Sequence, residues 1–211
     1  MVRFYCQSFA RPPGRIVLDI DDTFDAVHGH QQLRLFNAFY DEFGFQRIVV
    51  FDGEGRLVGT LLRPARRPKG AERAAHIRRL IRQIVRHWPK TEILLRADSH
   101  YCTPEVLDLC DRVGLRYIFG LSKNGRLAQN ISALEASTAA RYTRTLGQKL
   151  RRFKTFSYAA RSWSKPRRVI ARFEIGPMGR DTRYIVANLE GGRGKHLYQK
   201  APSEGFFVKQ R

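Results

Sequence analysis

A short apolar run that passes straight into carboxylates is the feature that most constrains the fold of this chain. The segment Ile16–Thr23 predicts a buried strand, and we expect its acids where the strand leaves the sheet and meets water. The segment Glu92–Ser99 repeats this design and carries Asp98 at its end. Two strand ends that each supply an acid can converge on one divalent cation, because hard cations take several anionic oxygen ligands.

The charge balance indicates what such a site would act on. The 211 residues contain 39 Lys and Arg against 19 Asp and Glu, which gives a net charge of +20 at pH 7. Solubility alone needs far less charge, and electrostatic attraction to phosphates is strong and independent of sequence. The composition therefore predicts a polyanionic partner, with nucleic acid ahead of a ribosomal or membrane-surface attachment.

The sequence gives no sign of export. No apolar run approaches the length of a membrane span, and Met1–Gly14 lacks the apolar core of a signal peptide. Cys6, Cys102 and Cys110 are odd in number and have no CxxC spacing, so neither a disulfide framework nor a zinc site is indicated. We expect reduced thiols, with Cys110 in the core, in a cytoplasmic protein.

The next elements predict a mixed sheet with flanking helices. Arg47–Phe51 and Arg56–Leu62 form an antiparallel hairpin, and Gly70–Trp88 is an amphipathic helix. The polar face of that helix is predicted to carry Arg73, Arg78, Arg79, Arg82 and Arg86, which either face solvent or contact phosphate. A helix from Pro104 and a strand over Leu115–Leu121 follow. This order is what an α/β, ribonuclease-H-like sheet requires, and it makes the first and fourth strands neighbours.

A β-rich insertion is predicted after this core. We place the core in residues 1–122, the insertion in 123–190 and a tail in 191–211. Strands are expected at 151–158, 167–175 and 182–189, with a hairpin turn at Gly176–Gly179. Basic and aromatic residues alternate there, which suits phosphates and exposed bases, although most of the aromatics are expected to form the insertion's own core. The predicted DNA-binding residues are Arg96, Arg151, Arg152, Lys154, Trp163, Lys165, Arg167 and Arg168.

Several short motifs in this order resemble bacterial insertion-sequence transposases with a group-one DDE domain. They are Leu18–Thr23, the turn at Gly29–Gln31, Phe51–Gly55, Leu62–Pro64 and Leu95–Ser99. The resemblance spans about Arg15 to Tyr198 and implies cut-and-paste DNA transposition by two-metal phosphoryl transfer.

The resemblance also implies a site. Asp21 matches the first catalytic acid and Asp98 the second, both as ligands of Mg²⁺ or, in its place, Mn²⁺. Asp19 is a candidate auxiliary metal ligand, and Arg96 either binds phosphate or pairs with an acid. The implied partner is the DNA at the ends of an insertion element in the bacterial nucleoid, and a homodimer is left open.

The resemblance ends before the third catalytic acid. A Glu on a late helix should follow Leu197-Tyr198, yet Pro202 and Gly205 oppose a helix and Glu204 stands in the wrong context. The expectation is a truncated copy of the transposase, which in practice could act only as a DNA-binding remnant.

A second enzyme class fits the same acids. Asp19 to Thr23 also matches the Asp-x-Asp-x-Thr motif of haloacid-dehalogenase-like phosphatases. There Asp19 would be the nucleophile and Asp21 the general acid. Against this alternative, Asp98 has no adjacent acid, and a charge of +20 suits a nucleic-acid partner better.

Overall fold

The structure is a computed structural model that describes residues 1–145, 148–192 and 194–199. The described helices are α1 (Val2–Gln7), α2 (Gly70–His87), α3 (Pro104–Arg112), α4 (Gly125–Tyr142) and α5 (Gly194–Gln199). The described strands are β1 (Arg15–Ala26), β2 (Leu35–Asn37), β3 (Glu42–Asp52), β4 (Leu57–Leu61), β5 (Glu92–Ala97), β6 (Arg116–Leu121), β7 (Leu150–Tyr158), β8 (Arg167–Gly176) and β9 (Gly179–Ala187). A short 3-10 helix, Ser99–Tyr101, follows β5.

The chain divides into two compact units. The first contains residues 1–96 and 105–115, and the second contains 97–104 together with the described residues from 116 onward. The helices α1 and α2 belong to the first unit, as does α3 from Glu105 onward, and α4 and α5 belong to the second.

The sheet of the first unit has the strand order β2-β3-β1-β5, and β4 also pairs with β3. Strand β3 is antiparallel to β1, β2 and β4. The Glu92 amide donates to the Gly14 carbonyl at the start of β1 and β5, while Arg96 bonds Asp19 further along both. Both strands therefore run in the same direction, which makes the sheet mixed. The predicted adjacency of the first and fourth strands is confirmed, because β1, which carries Asp19, lies next to β5, which carries Arg96.

The position of the carboxylates within the first strand was predicted wrongly. Strand β1 does not end at the acids but continues to Ala26, paired with β3 from Leu18 opposite Asp52 to Ala26 opposite Gly44. The long partner β3 keeps the backbone hydrogen-bonded beyond the apolar run, so that the acids lie inside the sheet. Gly44 is required for this close pairing, because a Cβ atom there would lie 2.2 Å from the Asp25 carbonyl oxygen.

The predicted hairpin is confirmed as β3 and β4, and Asp52 holds its turn together. Its carboxylate accepts hydrogen bonds from the Tyr5 hydroxyl, the Arg56 guanidinium and the amides of Glu54 and Arg56. Burial alone would raise the pKa of Asp52, but these hydrogen bonds outweigh it and lower the pKa below its usual value.

The helix α2 is confirmed, but one arginine of its predicted polar face is buried. Arg73 is only 4% exposed, and the apolar residues Ile77 (2%) and Ile84 (0%) of the same helix are buried as well. Residues 73, 77 and 84 are separated by four and seven positions, and this spacing puts all three on one side of an α-helix. Glu72 accepts a hydrogen bond from the Lys69 amide at the start of the helix.

The second unit holds an antiparallel sheet in the order β6-β9-β8-β7. The predicted turn is confirmed by the pairing of Gly176 with Gly179. The helix α4 was not predicted, because only Leu127, Ile131 and Thr138 of its side chains are buried and the apolar period is weak. Its alanines favour a helix, and the Asn124 side chain caps it by accepting from the Leu127 amide at 2.9 Å.

All three cysteines are free thiols, as predicted, and Cys110 is fully buried in the core. Burial raises the pKa of Cys102 to about 12, so this thiol is protonated at neutral pH. Among the described residues, no helix is long and apolar enough to cross a membrane.

Candidate DNA-processing site

Asp19 is the most deeply buried of the candidate acids. Its side chain is 2% exposed, and both of its oxygens accept hydrogen bonds from Arg96. The Arg96 Nε atom lies 2.6 Å from Oδ1, and a terminal nitrogen lies 2.5 Å from Oδ2. This two-point geometry is the strong form of a carboxylate–guanidinium pair. Arg96 therefore takes the second of its two predicted roles, the pairing with an acid.

Asp21 lies two residues beyond Asp19 on β1 and is partly exposed. Side chains two positions apart on a strand share a face, while Asp22 points to the opposite face. Asp21 is paired in the sheet opposite Val49 of β3. Its carboxylate thus stands on the same face of the first unit as the Asp19–Arg96 pair.

Asp98 follows β5 directly and belongs to the second unit, whereas Asp21 belongs to the first. Its Oδ1 atom accepts a hydrogen bond from the His100 amide at 2.9 Å, which caps the 3-10 helix. Its Oδ2 atom lies 3.1 Å from Nδ1 of the His100 ring. The Asp98 side chain remains 39% exposed, so it is accessible to a ligand.

Gly120 on β6 fixes the backbone that carries Asp98. A Cβ atom at position 120 would lie 2.8 Å from the Ser99 amide nitrogen and 3.2 Å from the Asp98 carbonyl carbon. Real Cβ atoms do not approach backbone so closely, and backbone cannot swing aside as the end of a side chain can. Only glycine allows β6 and the Asp98–Ser99 segment to pack at this distance.

We expect Gly120→Ala to displace the Asp98 segment. Overpacking of this kind costs about 1–3 kcal/mol of unfolding free energy, measured by urea denaturation. The matched control is Gly125→Ala at the first position of α4, where nothing lies within 4 Å of a new Cβ atom. The control should be neutral or slightly stabilising, because alanine favours helix. Equal stability of both variants would show that Gly120 does not constrain the segment.

The predicted DNA-binding residues on β7 already contact the protein itself. Arg151 bonds Glu174 at 2.5 Å, Arg152 bonds the Ser137 hydroxyl at 2.8 Å, and Lys154 bonds the Asn130 carbonyl at 2.6 Å. Arg151 and Lys154 nevertheless remain exposed, as does Lys165 in the loop before β8. Contact with phosphate remains a prediction for these side chains.

Two of the predicted DNA-binding residues have structural roles. Arg167 is 5% exposed and donates to the buried Tyr117 hydroxyl at 3.0 Å, while its guanidinium lies 6.0 Å from the Trp163 ring centre. Arg168 donates to the carbonyls of Leu189, Gly191 and Gly192. A buried Arg167 does not reach a duplex in this conformation.

Trp163 is half-buried rather than free. Its ring packs edge-on against Tyr158, with the centroids 5.5 Å apart. Phe173 and Tyr158 are buried, as expected for aromatics that form the core of this sheet.

Among residues 1–145, 148–192 and 194–199, no group of three or more His, Cys, Asp or Glu side chains is arranged to hold a metal ion. The donor chemistry of Asp21 and Asp98 nevertheless fits a hard divalent cation, because both supply carboxylate oxygens and both are partly exposed. The third acid was expected on a helix after Leu197-Tyr198, and Pro202, Glu204 and Gly205 lie outside the described residues.

The mixed sheet with flanking helices, which carries Asp19 and Asp21 on β1, has the architecture of the ribonuclease-H-like class. Within that class, the chain belongs to the family described as "Transposase DDE domain group 1", whose profile matches residues 1–204. This match confirms the predicted family and disfavours the phosphatase alternative.

One solved structure similar to this chain is a cryo-EM structure of a piggyBac transposase synaptic complex with hairpin DNA. The TM-score is 0.50 at 11% sequence identity, over 86% of this chain. This similarity confirms the fold. The chain spans 34% of the length of that transposase chain. No curated protein matches the sequence significantly.

Two residues that contact Asp98 or its backbone were missed by the sequence reasoning. His100 lies only two residues after Asp98, so its nearness was visible in the sequence. Gly120 carried none, since its role depends on a backbone contact between positions 98–99 and 120 that no local pattern reveals.

Proposed function

We propose that this chain is the catalytic domain of a DNA transposase that cuts and joins DNA by metal-dependent phosphoryl transfer. The observation that carries the proposal is the family match over residues 1–204 together with the acids on β1 and after β5. The DNA substrate would be the ends of an insertion element within a bacterial nucleoid. Residues 1–122 would form the core, 123–190 the insertion and 191–211 the tail.

Asp21 and Asp98 would hold the divalent cation, Mg²⁺ or Mn²⁺. When bound, such an ion polarises a phosphoryl oxygen and lowers the pKa of an attacking water or hydroxyl. The family match supports the assignment of these acids, and both carboxylates are partly exposed and so accessible to an ion.

Asp19 is better suited to positioning than to metal binding in this proposal. Its two oxygens are engaged by Arg96, and its side chain is 2% exposed. A nucleophilic aspartate must present an oxygen to its phosphate substrate, and Asp19 does not. The pair would instead hold β1 and β5 in register and so position Asp21 on β1.

We expect DNA binding to be largely independent of sequence and strongly dependent on salt. The net charge of +20 implies several phosphate contacts, so log affinity against log salt should have a slope steeper than about −4 in filter-binding titrations. Flat salt dependence, or no binding at low salt, would contradict the proposal.

A pair of charge-matched variants tests which surface binds. Replacing Arg151, Lys154 and Lys165 by Gln removes three exposed cations, which should reduce the magnitude of the slope by about 3 if each contacts a phosphate. The control replaces three exposed arginines of α2, Arg78, Arg82 and Arg86, and changes the net charge equally. Equal losses in both variants would assign binding to overall charge rather than to the β7 surface.

A further inference from the structure

His100 contacts Asp98 at two points, and capping of the 3-10 helix requires only one of them. The cap of the 3-10 helix is complete when the His100 amide donates to Asp98 Oδ1. The ring makes a separate contact through Nδ1 to Oδ2, the other carboxylate oxygen. The His100 side chain is 54% exposed, so its ring is open to solvent.

The two atoms have the spacing of neighbouring ligands on one metal ion. Bonds of about 2.0–2.2 Å at right angles place two ligand atoms about 3 Å apart. The distance from Nδ1 to Oδ2 is 3.1 Å. Both side chains are accessible to solvent, so an ion can enter without rearrangement of the backbone.

We propose that His100 is a metal ligand alongside Asp98, so that the site takes a transition-metal dication such as Mn²⁺ in preference to Mg²⁺. The inference rests on the proposed function, because it assumes that Asp98 binds the metal. A cation that binds Nδ1 takes the lone pair of a neutral imidazole whose hydrogen is on Nε2, and a proton released from Nδ1 goes to solvent. The imidazole then binds through the Nδ1 lone pair.

The preference among metals follows from the donor set. Mg²⁺ demands oxygen ligands and retains its waters, whereas an imidazole nitrogen suits transition metals. A site built only from Asp21 and Asp98 would show little such selectivity. An added nitrogen ligand should therefore raise Mn²⁺ affinity and leave Mg²⁺ affinity nearly unchanged.

Electron paramagnetic resonance of Mn²⁺ bound to the full chain tests the proposal without any activity assay. A directly bound imidazole gives ¹⁴N modulation in the pulsed spectrum of the wild-type protein. His100→Ala should remove that modulation and weaken Mn²⁺ binding at least about tenfold, the lower end of what loss of a partner at a metal site costs. Mg²⁺ affinity, measured by competition, should change less than about twofold.

Two further variants make each failure distinguishable. His87→Ala removes another exposed histidine, at the end of α2, and should leave both the affinity and the ¹⁴N signal unchanged. Asp98→Asn should abolish the binding. Wild-type protein without ¹⁴N modulation, or an unchanged signal in His100→Ala, overturns the role of His100 while Asp98→Asn still loses the metal. Unchanged Mn²⁺ binding in Asp98→Asn overturns the proposed function as well.

Discussion

Asp21→Asn and Asp98→Asn are each expected to reduce Mn²⁺-dependent nicking of supercoiled plasmid DNA by roughly 100- to 1,000-fold. Metal ions contribute several kcal/mol of transition-state stabilisation, and each factor of ten in rate corresponds to about 1.4 kcal/mol. An amide retains the size of the carboxylate but loses its charge. The measurement is the initial rate of conversion to open circles at saturating Mn²⁺.

Asp22→Asn is the matched control for this prediction. It makes the same change of charge one residue further along β1, on the opposite face of the strand. We expect its nicking rate to stay within about twofold of wild type, because overall charge changes by only one in a chain of +20. Equal losses in Asp21→Asn and Asp22→Asn would mean that charge, and not metal binding, controls the rate. Calorimetry adds a second criterion. If only one of the variants Asp21→Asn and Asp98→Asn lost Mn²⁺ binding, the two acids would not share a site.

Much of the fold followed from local patterns. The β3–β4 hairpin, α2, α3 and the hairpin at Gly176–Gly179 were all predicted, because turn residues, caps and apolar periods are encoded within a few positions. The continuation of β1 to Ala26 was not predicted. The residues there are largely polar, and they form a strand because they pair with β3 rather than because of an apolar pattern of their own. Helix α4 was not predicted for a related reason: its alanines favour a helix, but it has no clear apolar stripe.

The candidate acids could be identified from the sequence, but the residues that contact them could not. Carboxylates after apolar runs identified Asp19, Asp21 and Asp98 as candidates, yet the sequence left open whether Arg96 meets phosphate or acid. The answer depends on the register of β1 against β5, which is a contact between residues 77 positions apart. Arg167 was predicted to bind DNA because it lies in a segment where basic and aromatic residues alternate. Its burial against Tyr117 is also a tertiary contact, which no local pattern reveals.

Arg96→Met is expected to destabilise the protein by about 3–5 kcal/mol, because it leaves the buried Asp19 carboxylate without its counter-ion. Total stabilities of about 5–15 kcal/mol are typical, so this loss is a large share. Urea denaturation of wild type, Arg96→Met, Asp19→Leu and the double variant gives the coupling free energy. The double variant should recover most of the loss, because it replaces the charged pair by apolar side chains and leaves no buried charge.

Arg66→Met is the control for an exposed pair. Arg66 bonds Glu72 at 2.6 Å in similar two-point geometry, but the two side chains are 52% and 32% exposed, against 19% and 2% for Arg96 and Asp19. Water solvates the glutamate that remains, so the denaturation midpoint should stay close to wild type. If Arg66→Met and Arg96→Met shifted the midpoint equally, the Asp19–Arg96 pair would not depend on burial. If Arg96→Met remains folded without urea and yet loses Mn²⁺ binding, the Asp19–Arg96 pair positions Asp21 for the metal.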